Sequence, residues 1–340
     1  MRISVLDQSF VAEGGSPAES LRNSVDLARA ADELGYTRYW LAEHHASAPF
    51  AGPAPEVMVA TVAAMTTRIR VGSGGVLLPH YSALKVAEIF RVLEALHPGR
   101  IDLGVGRAPG GVESRALRPD LDLLGPEDFV VQLGELGAFL GHAEFPAGHP
   151  YRSLRVMPEV PSTPPVWLLG TSLNSATLAA GLGLPYVFGH FATPGATRAA
   201  IEVYREQFRP GPATPRPQVI AGVGVYCAET AKQAQYLFAS QHLFRLRMTQ
   251  NLLAPVPPPG PALESLRGVP EDRDITPDPA RTVHEWPRYF VGDPDQVVKQ
   301  LDGMAAELGI DEFMVLTTIH DHASRKRSYE LLAGAVGAAA

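Results

Sequence analysis

Side chains able to transfer a proton are concentrated in short segments that follow predicted strands. His44 and His45 follow the predicted strand Arg38–Ala42, from which only Glu43 separates them. A neutral imidazole can give or take a proton near pH 7. Adjacent residues of an extended segment point to opposite sides, so the two rings are poor partners for one metal ion, and one of them is expected to face a ligand. The alternative is that both are ordinary hydrogen-bonded histidines.

A phosphate-binding segment is predicted at Gly170, Thr171 and Ser172, where a strand passes directly into a helix. Free backbone N–H groups, two hydroxyls and the positive end of the helix dipole suit an anion, and Ser175 could add a third hydroxyl. The alternative is that Thr171 or Ser172 only caps the helix. Arg107 follows another strand and could pair bidentately with a phosphate, although a surface ion pair would explain it equally well.

Two glycines, Gly74 and Gly75, end a further predicted strand. Backbone without side chains would let a flat ligand approach closely, whereas the alternative is a plain β-bulge. The segment 104–107 (GVGR) has some glycines of a dinucleotide fingerprint, but the spacing is wrong and Pro109 stands where a helix should start. We therefore predict no nicotinamide-binding motif.

A metal centre is not predicted. Cys227 is the only cysteine, which excludes a cysteine-based zinc site and an internal disulfide. His320 and His322 have the spacing of a metal-binding pair, but they lie at a predicted helix start rather than on a strand. A metal-dependent barrel hydrolase that uses the histidines of the strand ends is kept as one alternative function.

These segments must be positioned by alternating strands and helices. Eight strands, each followed by a helical stretch, favour an α/β fold of the (β/α)8 TIM-barrel type over a doubly wound open sheet. In a barrel the carboxyl ends of all strands meet at one rim, so the segments above would lie together. The predicted strands are Ile3–Leu6, Arg38–Ala42, Ile69–Ser73, Ile101–Gly104, Val166–Leu169, Tyr186–Phe188, Val219–Cys227 and Glu312–Thr317.

The chain of 340 residues is expected to form a single domain over 1–340, because no change in composition marks a boundary. One segment interrupts the pattern after the seventh strand–helix unit. Ala254–Pro287 contains nine prolines, so we expect an insertion without regular secondary structure that could act as a lid.

Composition excludes several classes of protein. Apolar residues make up 46% and charged residues 19% of the chain, which is globular composition. The net charge of −7, without a basic block, makes nucleic acid and anionic membranes unexpected partners. No apolar run is long enough to span a bilayer, and the start (MRISVLDQSF) does not resemble a secretory signal. Together with the single cysteine, this favours a cytoplasmic protein.

Six segments, taken together and in order, resemble the bacterial luciferase-like, flavin-dependent monooxygenases, specifically the FMN-linked oxidoreductase branch. The resemblance covers nearly the whole chain and implies a (β/α)8 barrel with FMN at the strand ends, usually in dimers. The segments are RYWLAEHH (38–45), VGSGGVLLPHYSALKVAE (71–88), HPGRIDLGVGRAPGG (97–111), PVWLLGTSLNSATLAAGLGLPYVFGHF (165–191), YFVGDPDQV (289–297) and DEFMVLTTIHDHASRKRSYELLA (311–333).

The resemblance assigns roles to individual residues. His44 matches the family's catalytic histidine, an acid/base group near the flavin. Gly74–Gly75 match a non-proline cis peptide that supports the flavin ring, and Arg107 matches a phosphate-binding arginine. The phosphate-binding loop would comprise Gly170, Thr171, Ser172 and Ser175, and the substrate pocket would include His45 and His190. Gly106 and Gly170 replace a cysteine and a glutamate of the light-emitting enzymes, so light emission is not expected.

The function that this resemblance implies is monooxygenation of a small organic substrate with reduced FMN and dioxygen. A separate flavin reductase would supply the reduced FMN, because no nicotinamide motif is present. One alternative is hydride transfer with the deazaflavin F420, whose acidic tail the charge of −7 disfavours. Another is a flavin-binding protein without turnover.

Overall fold

The computed structural model describes residues 1–107, 112–120, 125–211, 214–269 and 286–337. Within these residues the strands are β1 (Arg2–Asp7), β2 (Arg38–Leu41), β3 (Arg70–Leu77), β4 (Ile101–Gly106), β5 (Val166–Gly170), β6 (Tyr186–Gly189), β7 (Val219–Cys227), β8 (Tyr289–Gly292) and β9 (Glu312–Leu316). The α-helices are α1 (Pro17–Glu33), α2 (Pro55–Met65), α3 (Ala83–Leu96), α4 (Val112–Leu117), α5 (Pro126–Leu140), α6 (Leu173–Gly181), α7 (Thr197–Gln207), α8 (Ala231–Thr249), α9 (Pro259–Ser265), α10 (Pro294–Leu308) and α11 (His322–Val336). Short 3-10 helices occupy Leu78–His80 and Pro194–Ala196.

Eight of the strands form a closed parallel barrel. They pair in the order β1, β2, β3, β4, β5, β6, β7, β9, and β9 pairs back with β1. The predicted (β/α)8 TIM barrel is therefore confirmed. The strand predicted at Glu312–Thr317 closes it as β9.

Local sequence signals explain where the helices begin and end. The Ser16 hydroxyl accepts a hydrogen bond from the Glu19 N–H at the start of α1, and Asp293 caps α10 in the same way. Gly141 and Gly309 end α5 and α10 in the left-handed conformation that glycine adopts without a steric penalty.

The ninth strand, β8, was not predicted. It consists of only four residues and pairs with the second half of the long strand β7, from Gly224 to Cys227, beyond the stretch of β7 that pairs with β6. Such a short apolar run gives no alternation by which a strand could be recognised. The insertion was also predicted incorrectly in part, because α9 lies inside it and Val256 forms a bridge with Ala12. Residues 270–285 of the insertion lie outside the described residues.

The inside of the barrel is filled by side chains, so it offers no channel. Trp40 and Trp167 pack edge to face at its centre with a ring separation of 5.7 Å. Nearer the amino ends of the strands, the buried Arg38 guanidinium pairs with Asp102 and Glu312, each at 2.8 Å. A ligand must therefore bind at the opposite rim, where the strands end. None of the helices among the described residues combines the length and apolar composition needed to cross a membrane.

Candidate active site

His44 lies on the loop that leaves β2 at the carboxyl rim of the barrel. Its ring stacks on Phe50 with a centroid separation of 4.0 Å, and its backbone N–H donates to the Gly52 carbonyl at 3.0 Å. The Nδ1 atom is buried without a hydrogen-bond partner among the described residues. Burial, followed by the nearby His45, lowers the pKa of His44 to about 4. The ring is therefore neutral at pH 7 and can accept a proton.

The backbone at the end of β3 contains the predicted cis peptide, between Gly74 and Gly75. Both glycines are half-buried, so part of their backbone faces the rim. A Cβ on Gly75 would lie 2.8 Å from the Gly104 carbonyl oxygen, and one on Gly74 would lie 2.6 Å from the Leu6 side chain. At position 75 glycine is thus required by the backbone of the neighbouring strand β4, a reason that differs from the predicted approach of a ligand.

The ends of β4 and β5 lie side by side at the same rim. Val105 is in register with Leu168, and the two strands end at Gly106 and Gly170. Arg107, the next residue after β4, is exposed and forms no hydrogen bond or ion pair with other described residues. The guanidinium is thus not engaged by the other described residues.

The start of α6 is built as a helix cap. The Ser172 hydroxyl accepts from the Ser175 N–H at 3.3 Å, while the Ser175 hydroxyl donates to the Ser172 carbonyl at 2.7 Å and lies 2.8 Å from the Tyr186 hydroxyl. Ser175 therefore does not present the free third hydroxyl that the sequence suggested. Thr171 is exposed, and the first N–H groups of a helix have no intrahelical partner, so the prediction of an anion site at this helix start stays a prediction. A Cβ at position 170 would lie 2.1 Å from the Ser175 hydroxyl oxygen, which explains why this residue is glycine.

A buried carboxylate that the sequence reasoning missed joins the loops after β2 and β3. Glu43 accepts hydrogen bonds from the Leu77 N–H at 2.9 Å and from the Tyr81 hydroxyl at 2.7 Å, and its Oε1 lies 2.6 Å from His45 Nε2. The spacing of Glu43 and His45 is a signal that could have revealed the pair, because residues i and i+2 of an extended segment lie on one side. Glu43 thus fixes the His44 loop to the end of β3.

The two histidines predicted to line a substrate pocket have other surroundings. The side chain of His45 is only 12% exposed and is held by Glu43. His190 is fully buried, with Nδ1 2.8 Å from the Thr197 hydroxyl and Nε2 2.8 Å from the Pro287 carbonyl. Both ring nitrogens of His190 are therefore satisfied by the protein, and the structure places it in the framework of the rim rather than against a substrate.

Comparison with known proteins agrees with this geometry. The family model described as luciferase-like monooxygenase matches residues 1–312. The uncharacterized protein YceB of Bacillus subtilis is 41% identical over 335 residues, covering 98% of each chain. The N-acetyl-S-alkylcysteine monooxygenase of the same organism is 36% identical over 340 residues, covering 100% of this chain and 99% of the relative.

Solved structures show the same architecture. The crystal structure of apo-MsnO8 superimposes with a TM-score of 0.88 at 47% identity, covering 99% of this chain and 98% of that one. The oxygenating constituent of 3,6-diketocamphane monooxygenase from Pseudomonas putida, in complex with FMN, gives 0.73 at 20% identity (98% and 96% covered). An F420-dependent secondary alcohol dehydrogenase gives 0.67 at 14% identity (98% of each chain covered). These last two likenesses concern the fold alone.

Proposed function

The chain belongs to the luciferase-like monooxygenase family, and we propose that it oxygenates a small organic substrate with reduced FMN supplied by a separate flavin reductase. The observation that carries the proposal is the arrangement of three consecutive strand ends. Strand β3 ends beside the half-exposed Gly74–Gly75 backbone, β4 leads to the exposed Arg107, and β5 leads into the capped helix start at Ser172.

These residues fit a flat, singly phosphorylated cofactor. Arg107 and the N–H groups at the start of α6 supply positive charge and donors for one phosphate. A Cβ added at Gly106 would meet no atom of the described residues within 4 Å, so these residues leave space next to the anion site. FMN, when bound in its reduced form, would supply the electrons that activate dioxygen.

The chain's own residues would bind the cofactor, orient it and move a proton. His44 Nδ1 is buried without a partner among the described residues, and the neutral ring can accept a proton from a reacting group at this rim. Glu43 holds the His44 loop against the Leu77 N–H and so fixes the imidazole relative to Gly74–Gly75. Phe50, stacked on the ring, shields one of its faces from water.

The cofactor is tested by titrating the protein with FMN and F420 side by side, followed by fluorescence quenching. We expect FMN to bind at least tenfold more tightly than F420, and tighter binding of F420 would overturn the assignment of FMN.

Turnover is tested by measuring oxygen and NADH consumption with a flavin reductase and a substrate panel. N-acetyl-S-alkylcysteines enter the panel first, because a 36% identical relative is named for acting on them. FMN binding without substrate-dependent oxygen uptake across the panel would favour a flavin-binding protein.

Replacing His44 tests its role in proton transfer. We expect His44→Ala to leave the dissociation constant of FMN within about twofold and to lower turnover by about 10²–10⁴-fold, the usual contribution of a positioned acid/base group. The measurements are FMN titration and substrate-dependent oxygen uptake on the same preparation. An unchanged turnover rate would remove His44 from the reaction.

A further inference from the structure

Three buried side chains beside the flavin-binding rim form a group that the proposed oxygenation does not use as a unit. They are Glu43 and His45, on the loop after β2, and His80, in the 3-10 helix after β3. The carboxylate oxygen and one ring nitrogen of each histidine all lie within 4.8 Å of one another. The Glu43 side chain is fully buried, and those of His80 and His45 are 1% and 12% exposed.

His80 carries a polar atom for which the described residues provide no partner. Its Nε2 lies 3.0 Å from the Ser114 hydroxyl, which fixes the orientation of the ring. Its Nδ1 is buried, has no hydrogen-bond partner among the described residues and faces Glu43 Oε1 at 3.8 Å. Leaving a buried polar atom unsatisfied costs about 1–3 kcal/mol, so such an atom requires an explanation.

We propose that Glu43 Oε1, His45 Nε2 and His80 Nδ1 bind a first-row divalent cation of the Zn²⁺ type. Two imidazole nitrogens and one carboxylate oxygen are a donor set that Zn²⁺ and its neighbours prefer over Mg²⁺ or Ca²⁺. Three protein ligands leave a fourth position for water. The sequence did not suggest this site because its ligands come from two separate loops.

Second-sphere contacts orient two of the three ligands. The Leu77 N–H donates to Glu43 Oε2, while Oε1 faces the histidines and also accepts from the Tyr81 hydroxyl at 2.7 Å. Ser114 contacts the far nitrogen of His80, as the outer partner of a metal-bound histidine normally does. The carboxylate and the His80 ring are therefore aligned before a cation binds.

Binding requires two small adjustments, the first of which brings His80 Nδ1, now 3.8 Å from Glu43 Oε1, closer by about 0.4 Å. Tetrahedral ligands at about 2.0–2.1 Å from zinc lie about 3.4 Å apart. His45 Nε2 and Glu43 Oε1 are 2.6 Å apart, so the hydrogen bond between them must open by somewhat less than 1 Å. His45 is the most exposed of the three ligands and is the one expected to move.

The experiment uses the chelator-treated full-length protein without flavin. Zn²⁺ is titrated by calorimetry, and Co²⁺ is followed by its visible absorption, which reports tetrahedral coordination. We expect one Zn²⁺ per chain and tetrahedral Co²⁺ spectra in the wild type. His80→Ala should abolish both, while Ser114→Ala should weaken Zn²⁺ about tenfold, as expected for an outer partner. Mg²⁺ should not compete.

The matched control is His322→Ala, which removes the other closely spaced histidine pair, His320 and His322. This variant should bind Zn²⁺ like the wild type. Circular dichroism and the urea midpoint of each variant show whether it is folded. Unchanged Zn²⁺ binding in folded His80→Ala, loss of binding in His322→Ala, or no Co²⁺ uptake at millimolar concentration would each overturn the proposal. These readouts do not involve flavin, so they are independent of the proposed oxygenation.

Discussion

At the scale of single residues, we expect Arg107 to bind the phosphate of the cofactor. It is exposed, without a partner among the described residues, and follows β4, the strand that pairs with β5 before α6. A charge-assisted hydrogen bond contributes about 1.5–3 kcal/mol, which corresponds to roughly 10–100-fold in affinity. We expect Arg107→Ala to weaken FMN by this factor and to leave riboflavin, which lacks the phosphate, nearly unchanged.

Fluorescence titration with both flavins measures this difference. Arg216 is a suitable control, because it is also an exposed arginine but precedes β7 at the opposite end of the barrel. Arg216→Ala should bind both flavins like the wild type. Equal losses of FMN and riboflavin in Arg107→Ala would show that the side chain does not contact the phosphate.

The sequence identified residues of the rim well where a motif is continuous along the chain. Gly74–Gly75 and Arg107 could be recognised in this way, and the cis peptide was found where the resemblance placed it. Contacts between distant segments were not predictable. His190 forms a hydrogen bond with the Pro287 carbonyl, which is 97 residues further along the sequence. Glu43 accepts a hydrogen bond from the hydroxyl of Tyr81, which lies on a different loop. Whether a histidine faces a ligand or the protein depends on such contacts.

At the scale of elements, the close approach of β3 and β4 constrains Gly75. A Cβ at this position would lie 2.8 Å from the Gly104 carbonyl oxygen, which is backbone and cannot rotate away. We expect Gly75→Ala to lower the free energy of unfolding by about 1–3 kcal/mol, the usual cost of overpacking. Urea denaturation measures the change.

The neighbouring Gly106 provides the control for this variant. A Cβ added there meets no atom within 4 Å in the part of the chain that the structure describes, so Gly106→Ala should leave the free energy of unfolding within about 0.5 kcal/mol. Equal stability of the two variants would show that β3 and β4 can separate at little cost.

His190 connects three elements and should make their stability depend on pH. It follows β6, contacts Thr197 at the start of α7 and contacts Pro287 just before β8. Burial lowers its pKa to about 4, below the ordinary value of 6.5 that it regains on unfolding. Between these values only the unfolded chain binds the proton, so the stability contributed by neutral His190 falls as the pH is lowered.

The variant His190→Gln isolates this effect. Its stability relative to the wild type should improve by about 2–3 kcal/mol between pH 7 and pH 4.5, because glutamine does not titrate. Urea denaturation at each pH measures the difference in free energy of unfolding between variant and wild type. Because the two proteins share all other titrating groups, the change in this difference with pH reports on His190 alone. A constant difference between wild type and variant would show that His190 binds its proton at the same pH in the folded and the unfolded chain.

At the scale of the whole molecule, the barrel fixes where chemistry can occur, while charge and surface composition govern its partners. The strand count predicted the barrel correctly because eight separate units each carried a signal. Helix α9, inside the insertion, was not predicted because it begins at the end of three consecutive prolines, Pro257–Pro259, which indicate irregular structure. Only the last of the three, Pro259, belongs to the helix, and it occupies the first position, where proline is tolerated. The net charge of −7 also bears on the cofactor, since a longer polyanionic tail than that of FMN would be repelled.

The outer face of α2 and α3 is where we expect a second copy of the chain to bind. The two helices pack against each other and expose large apolar side chains, with Val57 60% and Met65 51% exposed on α2, and Val92 46% and Leu96 66% exposed on α3. Apolar groups that line two adjacent helices are typical of a symmetric interface, in which the same patch meets itself.

Leu96→Glu should therefore convert a dimer into a monomer, because the interface would bring two buried carboxylates together across the two-fold axis. Light scattering coupled to size exclusion measures the mass. Leu252→Glu is the control, since Leu252 is 55% exposed but lies after α8, away from this face. The Leu252→Glu variant should remain a dimer. A wild-type protein that is monomeric at all accessible concentrations would remove the expectation of a dimer, and a Leu96→Glu protein that remains dimeric would place the interface on another face of the barrel.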